Sequence, residues 1–426
     1  MHSPCYLGPN GRFVVKELLK KGSILILLGT GGVGKTTVTA ALGVAGAAAR
    51  LDTALITVDP ARRLRDALGL KHLGGRPQRL SRAHLAAAGL DPSIRLSAMM
   101  LDVKGVWDMM AERFAPDAAT RKRILENPFY ERLTAEFAGA EAFAALQQLY
   151  DMHESGGFEL KIVDTPPAAH AFEFLEAPAR FKHLLDSRTA RWIFTPSLSA
   201  GRLAVKLASQ AARFVVHELE RFAGTRVLSS VSDFFAAASE SVDAVVDQLR
   251  KTEALMRSDA VRFVMVTTAE ADRLSQAKEL IAEMKADGLR LSAIVINRFL
   301  DERTLLEASH GSATAALAHL DEIQILEKEF AGDIARQDGA GAVMTGLVRY
   351  RERALDEIAR VSAFASDLPA HIKLAIAPEL GIGGMHDLGA LKRIAGFIVD
   401  AGDLVASLEK AARAATPRRH RSASRH

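Results

Sequence analysis

Cysteine is almost missing from these 426 residues; Cys5 is the only one. A single thiol excludes an intramolecular disulfide and every metal or metalloid site built on several cysteines. Aromatic residues are sparse at 6%, and no apolar stretch approaches the roughly 18–20 residues a membrane-spanning helix needs. Residues 1–22 hold no long apolar core and run directly into an apolar strand, so no leader peptide is expected and a cytoplasmic location is. Surplus charge is missing as well. The formal net charge is +4, but the last eleven residues, TPRRHRSASRH, carry four arginines and no acid, and the remainder balances 51 basic against 51 acidic side chains. A neutral body offers no footing for nucleic acid, so no specific nucleic-acid partner is expected. Residues 411–426 are expected to be disordered, because Pro417 breaks a helix and four arginines without apolar neighbours cannot pack.

What is present is a globular composition, 49% hydrophobic and 25% charged, long enough for one large domain or two ordinary ones. Its most informative stretch is ILILLGTGGVGKTT at 24–37, an apolar strand entering a glycine-rich turn and then a helix. Gly29, Gly34, Lys35 and Thr36 satisfy the spacing G-x-x-x-x-G-K-[ST]. The chemistry asks for this spacing. With Gly29, Gly31, Gly32 and Gly34 bare, backbone N–H groups between Gly29 and Thr37, those of Thr30 and Val33 included, can turn toward phosphate oxygens. The opening helix adds unpaired amides and the positive end of its dipole. Lys35 is expected to reach the terminal phosphates of ATP, and the Thr36 hydroxyl to hold Mg²⁺.

Short, continuously apolar runs recur at 24–28, 54–58, 94–100, 160–163, 262–267, 291–296 and 373–377, with helical stretches between them. That alternation predicts an α/β fold, a doubly wound and mostly parallel sheet covered on both faces. Helices are predicted over 36–50 and over 273–286, the second stopping at Asp287-Gly288. Two intervals, 102–155 and 178–258, are helical in composition and almost free of strand signals. Along 203–222, Leu203, Leu207, Ala211, Phe214, Val215, Leu219 and Phe222 fall at helical spacing. An inserted helical subdomain is the expectation.

Three stretches sit just past strand ends, where such sheets carry their chemistry. Asp59 follows the strand at 54–58 and can orient the water that attacks a γ-phosphate, or else start the helix at 61–68. Asp164 ends the strand at 160–163 at the place for a Mg²⁺-holding acid, followed by Pro166, Pro167 and His170. Asn297 closes the strand at 291–296; its amide can pair with adenine, or merely make a turn.

Together GTGGVGKTT, VDPARRLRDALG, LSAMMLDVKGVWDMM, VDTPPAAHAFEFL, VINRFL and APELGIGGMHDLGAL resemble the arsenite- or anion-transporting ATPases, ArsA, and the related ATPases that deliver tail-anchored membrane proteins. The likeness is greatest to bacterial members with one ATPase unit per chain. It implies a P-loop fold of the deviant Walker A type, ATP and Mg²⁺ as cofactors, and a nucleotide-gated dimer, with itself or with a paralogue. It also implies a hydrophobic protein client or a membrane partner. Carried over by motif, Asp59 activates water, Asp164 is the second-switch acid, Asn297 contacts adenine and Pro378 lies near the base. The implied division is a P-loop half with the first switch (1–101), a helical insertion (102–155), the second switch (156–177), a helical subdomain (178–258), the rest of the ATPase domain (259–410) and the tail (411–426).

This chain departs from the resemblance in two ways. A lysine that reaches across the dimer is implied at position 30, where Thr30 stands; Arg62 and Arg63 are candidates to replace it by position alone. The metalloid-binding cysteines are absent, so arsenite binding by thiolates is not expected. Met99, Met100, Met109, Met110, Trp107 and Phe114 form a soft apolar group, either core or client surface, and Phe214, Phe222, Phe234 and Phe235 pose the same question. Two other functions compete with a gated ATPase: a low-turnover regulatory subunit paired with a paralogue, and a positioning ATPase of the MinD and ParA type.

Overall fold

The computed structural model describes residues 15–59, 63–136, 139–165, 228–238, 241–300, 339–369, 371–379 and 388–399. The predicted helical stripe at 203–222, the loop with Pro166, Pro167 and His170, Arg62 and the basic tail lie outside them. At the centre is β1 (Ser23–Leu28), six residues all buried. Its side chains alternate between two cores: Ile24, Ile26 and Leu28 enter one, Leu25 and Leu27 the other. A strand buried on both faces must be apolar throughout, which is why these runs read as continuous rather than alternating.

Around β1 stand β2 (Thr53–Thr57), β3 (Gln78–Arg79), β4 (Leu96–Met100), β5 (Leu160–Asp164), β6 (Val261–Thr267), β7 (Leu291–Phe299) and β8 (Lys373–Pro378), in the order β3-β4-β2-β5-β1-β6-β7-β8. All pairings are parallel except β3 against β4. The seven apolar runs are seven of these strands. The eighth, β3, is two exposed polar residues at the edge, too short and too polar to show in the sequence.

One face is covered by α1 (Lys35–Ala48), α2 (Arg63–Ala67), α3 (Arg82–Ala87) and, near the far end of the chain, a helix at Leu388–Val399 that packs along α1. The other face carries α4 (Val103–Phe114), α5 (Ala118–Leu125), α6 (Pro128–Glu136) and α7 (Ala140–Glu154), four helices in succession with no strand between. The aspartates before two of them act as caps: Asp102 accepts from the Gly105 amide at 2.9 Å and Asp117 from the Thr120 amide at 2.7 Å. Then come α8 (Leu228–Ala238), which packs on α5 and α6, α9 (Val242–Met256), which packs on α7, α10 (Ala271–Ala286) and the long α11 (Gly339–Ser366).

Of the apolar group marked in the sequence, Met99 lies in the sheet core, while Trp107 and Met110 are buried under the helices. Met109 and Phe114 are half-buried beside them. Trp107, Met110, Phe129, Tyr130, Leu133 and Phe234 are among the residues that line an apolar cavity of about 80 Å³ between α4, α5, α6, α8 and α9.

Candidate functional site

Seven parallel strands bring their carboxyl ends to one edge of the sheet. There β1 runs out at Leu28 and the chain turns through Gly29–Gly34 into α1. Gly29 passes so close to β6 that a Cβ on it would stand 2.3 Å from the Val266 carbonyl oxygen; only a bare backbone fits. Gly34 takes φ 88°, and a Cβ there would meet Asn297 Nδ2 at 2.1 Å. No side chain caps α1, so its first-turn amides remain for a ligand.

Lys35 folds back over the loop. Its Nζ donates to the carbonyls of Gly29 at 2.9 Å and Thr30 at 3.3 Å, and the side chain is 8% exposed. Burial pushes the ammonium below its usual range; Asp164 pulls it back, and Arg63 pushes it further down. The Thr30 hydroxyl is buried with no hydrogen-bond partner.

Next to the loop, register fixes the second element. Asp164 pairs across the sheet with Leu27 of β1 and with Thr57 of β2. Its Oδ2 accepts from Thr36 Oγ1 at 2.7 Å and from Thr57 Oγ1 at 3.3 Å, while its buried Oδ1 has no hydrogen-bond partner. Burial drives the Asp164 carboxyl up to about 6, against the pull of Thr36, Lys35 and Thr57. A carboxylate oxygen left bare beside a threonine hydroxyl fits a hard, oxygen-seeking cation such as Mg²⁺, which keeps much of its water and needs few protein ligands. Among the described residues no group of three or more His, Cys, Asp or Glu is placed to hold a metal.

Asp59 lies past β2, its carboxylate 3.4 Å from Arg63 at the start of α2; the acid is 18% exposed and the arginine 63%. Arg63 therefore stands at this edge, although an ion pair that open to water contributes little to stability. Thr37 is half-buried in the first turn of α1. Asn297 ends up under the loop, 4% exposed, its Nδ2 donating to the Val33 carbonyl at 2.8 Å. Pro378 ends β8, paired with Phe299. Sequence reasoning missed the Thr57 hydroxyl on Asp164, and it gave no role to Thr165, a residue of the DTPP stretch whose Oγ1 donates to the Leu27 carbonyl at 2.5 Å. The one hint was a threonine at the end of an otherwise apolar strand.

A glycine loop leaving a central parallel strand, a lysine folded into it and a Thr–Asp pair at its foot make this a P-loop nucleoside-triphosphatase. More narrowly, the chain belongs to the anion-transporting ATPase family, whose profile matches residues 23–326. It is similar to ATPase get3 of Aspergillus terreus, 25% identical over 305 residues that are 71% of this chain and 81% of that protein. It is likewise similar to ATPase get3 of Aspergillus niger, 24% identical over 333 residues, 78% of this chain and 88% of that one. As a member of this family the chain is an ATP hydrolase, with ATP and Mg²⁺ as its cofactors.

Proposed function

We propose that this ATPase works as a cytoplasmic dimer in which ATP binding and hydrolysis open or shut a helical surface for a hydrophobic protein client. In this reading Lys35 and the amides of Gly29–Thr37 grip the phosphates, and Thr36 and Asp164 hold Mg²⁺. Asp59 orients the attacking water and accepts its proton as the new oxygen–phosphorus bond forms and the bond from the γ-phosphorus to the β–γ bridging oxygen breaks, with ADP leaving. Bound there, Mg²⁺ neutralises charge on the phosphate oxygens. The base is assigned to the side of β7 and β8, where Asn297 and Pro378 stand. The stretches 102–155 and 178–258 are assigned to the client.

The observation that carries the hydrolytic half is the bare Asp164 oxygen beside Thr36 at the foot of the phosphate loop. The client half is supported by the apolar cavity between the helices on one face of the same sheet. Among the described residues no helix is long and apolar enough to cross a membrane.

Two substitutions test the hydrolytic half. Lys35→Ala is expected to abolish the heat of MgATP binding in calorimetry. Asp59→Asn is expected to bind MgATP normally while phosphate release falls at least about a hundredfold. Undiminished turnover in the Asp59 variant removes that residue from the chemistry. Thr30 favours a second reading, a low-turnover subunit that needs a paralogue. Its side chain is neutral, and a hydroxyl cannot offset the charge on a transferring phosphoryl group. Phosphate release that starts only when a second chain is added is the outcome that reading expects.

A further inference from the structure

Just past Asn297 the chain meets a buried acid that the hydrolytic chemistry does not use. Glu357 of α11 is 4% exposed. Its Oε2 accepts from the Leu300 amide at 3.0 Å and its Oε1 from Arg353 Nε at 3.2 Å. Leu300 is itself buried, so this carboxylate stands in for water at its N–H. Further along the same helix, Arg360 donates from Nε to the Ala269 carbonyl, just past β6, at 2.8 Å. α11 is thus tied to the carboxyl ends of the two strands against which the glycine loop packs, Gly29 over Val266 and Gly34 over Asn297.

What Glu357 holds is a strand end that has left its regular path. Register against β8 shifts between Ile296 and Phe299, and Arg298 takes φ 54°, a left-handed conformation uncommon outside glycine. Such a backbone persists only where its surroundings hold it. On one side of the break stands Asn297. One hydrogen of its amide goes to the Val33 carbonyl at 2.8 Å, which leaves the second hydrogen and Oδ1 for a base. On the other side Phe299 pairs with Pro378, and its carbonyl accepts from the Glu379 amide at 2.9 Å.

We infer that Glu357 is a positioning residue for the base side of the nucleotide site. By holding the Leu300 amide it fixes the end of β7, and with it the place of Asn297 and, through Phe299, that of Pro378. The phosphates are gripped by the loop amides and by Lys35, which bonds within the loop, so the loss of Glu357 falls on the base. The inference rests on the phosphate and base assignments above, and its test separates it from them.

Calorimetry compares MgATP with magnesium tripolyphosphate, which has the phosphate chain and no base, on the wild type, Glu357→Ala, Glu357→Gln and Asn297→Ala. Glu357→Ala is expected to lose about tenfold in affinity for MgATP and less than about twofold for tripolyphosphate. Glu357→Gln keeps an oxygen for the Leu300 amide and is expected to bind MgATP within about threefold of the wild type. Rescue by an uncharged acceptor marks a hydrogen bond that places the strand. Hydrogen exchange in ligand-free Glu357→Ala is expected to speed up at Asn297–Leu300 while the amides of β1 stay protected, a local loosening that general destabilisation would not give.

Equal loss of affinity for the two ligands overturns the inference, and so does wild-type binding of MgATP by folded Glu357→Ala. Should that variant fail to fold, Glu357→Asp, one methylene shorter, carries the same test: a loss confined to MgATP supports the inference, and an equal loss or none overturns it. Asn297→Ala separates the inference from the base assignment. A greater loss for MgATP than for tripolyphosphate in that variant keeps the assignment even where Glu357→Ala overturns the inference; no such difference takes both down. Absence of binding by the wild type to either ligand takes down the phosphate-site reading itself, and the inference with it.

Discussion

A carboxylate 1% exposed in the middle of a sheet, with one oxygen unpartnered, is a cost that the fold carries for its ligand. Asp164 titrates at about 6 against an ordinary 3.8, a penalty on the ionised form of about 3 kcal/mol near neutral pH. The sign follows from the direction of the shift. Above about 6 both folded and unfolded chains carry the charge and the penalty is complete; as pH falls from there toward 3.8 the folded chain takes up its proton first and the penalty fades. Asp164→Asn is therefore expected to raise the ligand-free thermal midpoint by several degrees at pH 7.5 in a chelator, with the gap closing toward pH 4. The same variant is expected to lose the extra stabilisation that Mg²⁺ gives in the presence of ATP. A lower midpoint at pH 7.5 would mean that the hydrogen bonds from Thr36 and Thr57 outweigh the burial. At this scale Lys35, Thr36 and Asp164 were legible because each sits at a fixed offset from a glycine loop or a strand end. Thr57 and Thr165 were not, since a lone hydroxyl at the edge of an apolar run has no period, and its partner lies 107 or 138 residues away. The contact of Asn297 with Val33 was hidden for the same reason: it spans 264 residues.

Elements were easier to read than contacts. Seven strands declared themselves because burial on both faces demands unbroken apolarity, and α10 because its amphipathic stripe ends in Asp287-Gly288. The edge strand β3 left no trace: it is two exposed polar residues, and the ion pair that Arg79 makes with Asp52 at 3.0 Å spans 27 residues. What the sequence could not decide was whether the soft apolar residues of the helical stretch are core or surface, because both uses need the same side chains. The packing at Phe234 turns that into a measurement. Its ring meets Phe129 edge-on at 5.4 Å between centroids and stacks on Tyr130 at 6.1 Å, and the residue is 9% exposed. If α8 is fixed core, Phe234→Ala is expected to cost about 3–5 kcal/mol in chemical denaturation, the range for deleting a buried aromatic ring. If α8 lifts to admit a client, the cost is expected to stay below about 1 kcal/mol while capture of a hydrophobic helical peptide is lost. The cavity of about 80 Å³ already present beside this ring is the weak point from which such an opening would start.

For the whole molecule the open question is where charge compensation comes from. Among the described cations at this edge, Lys35 is folded onto its own loop and Arg63 is paired with Asp59. At position 30, where the family resemblance implies a lysine reaching across a dimer, the chain has a neutral threonine with a buried, unpartnered hydroxyl. A homodimer would then bring two triphosphates together without the crossing cation, and a paralogue with lysine there would supply one. Light scattering in MgATP is expected to give twice the chain mass of 45.9 kDa, and in nucleotide-free buffer the mass of one chain. Thr30→Lys is expected to leave that dimerisation in place and raise turnover at least about tenfold, since a cation at the transferring phosphoryl group acts mainly on the transition state. Turnover unchanged by the lysine would show that the wild-type dimer already has its cation, which directs attention to Arg63 and the arginine before it. A chain that stays at one mass with every nucleotide would dissolve the dimer argument and leave the site to work alone.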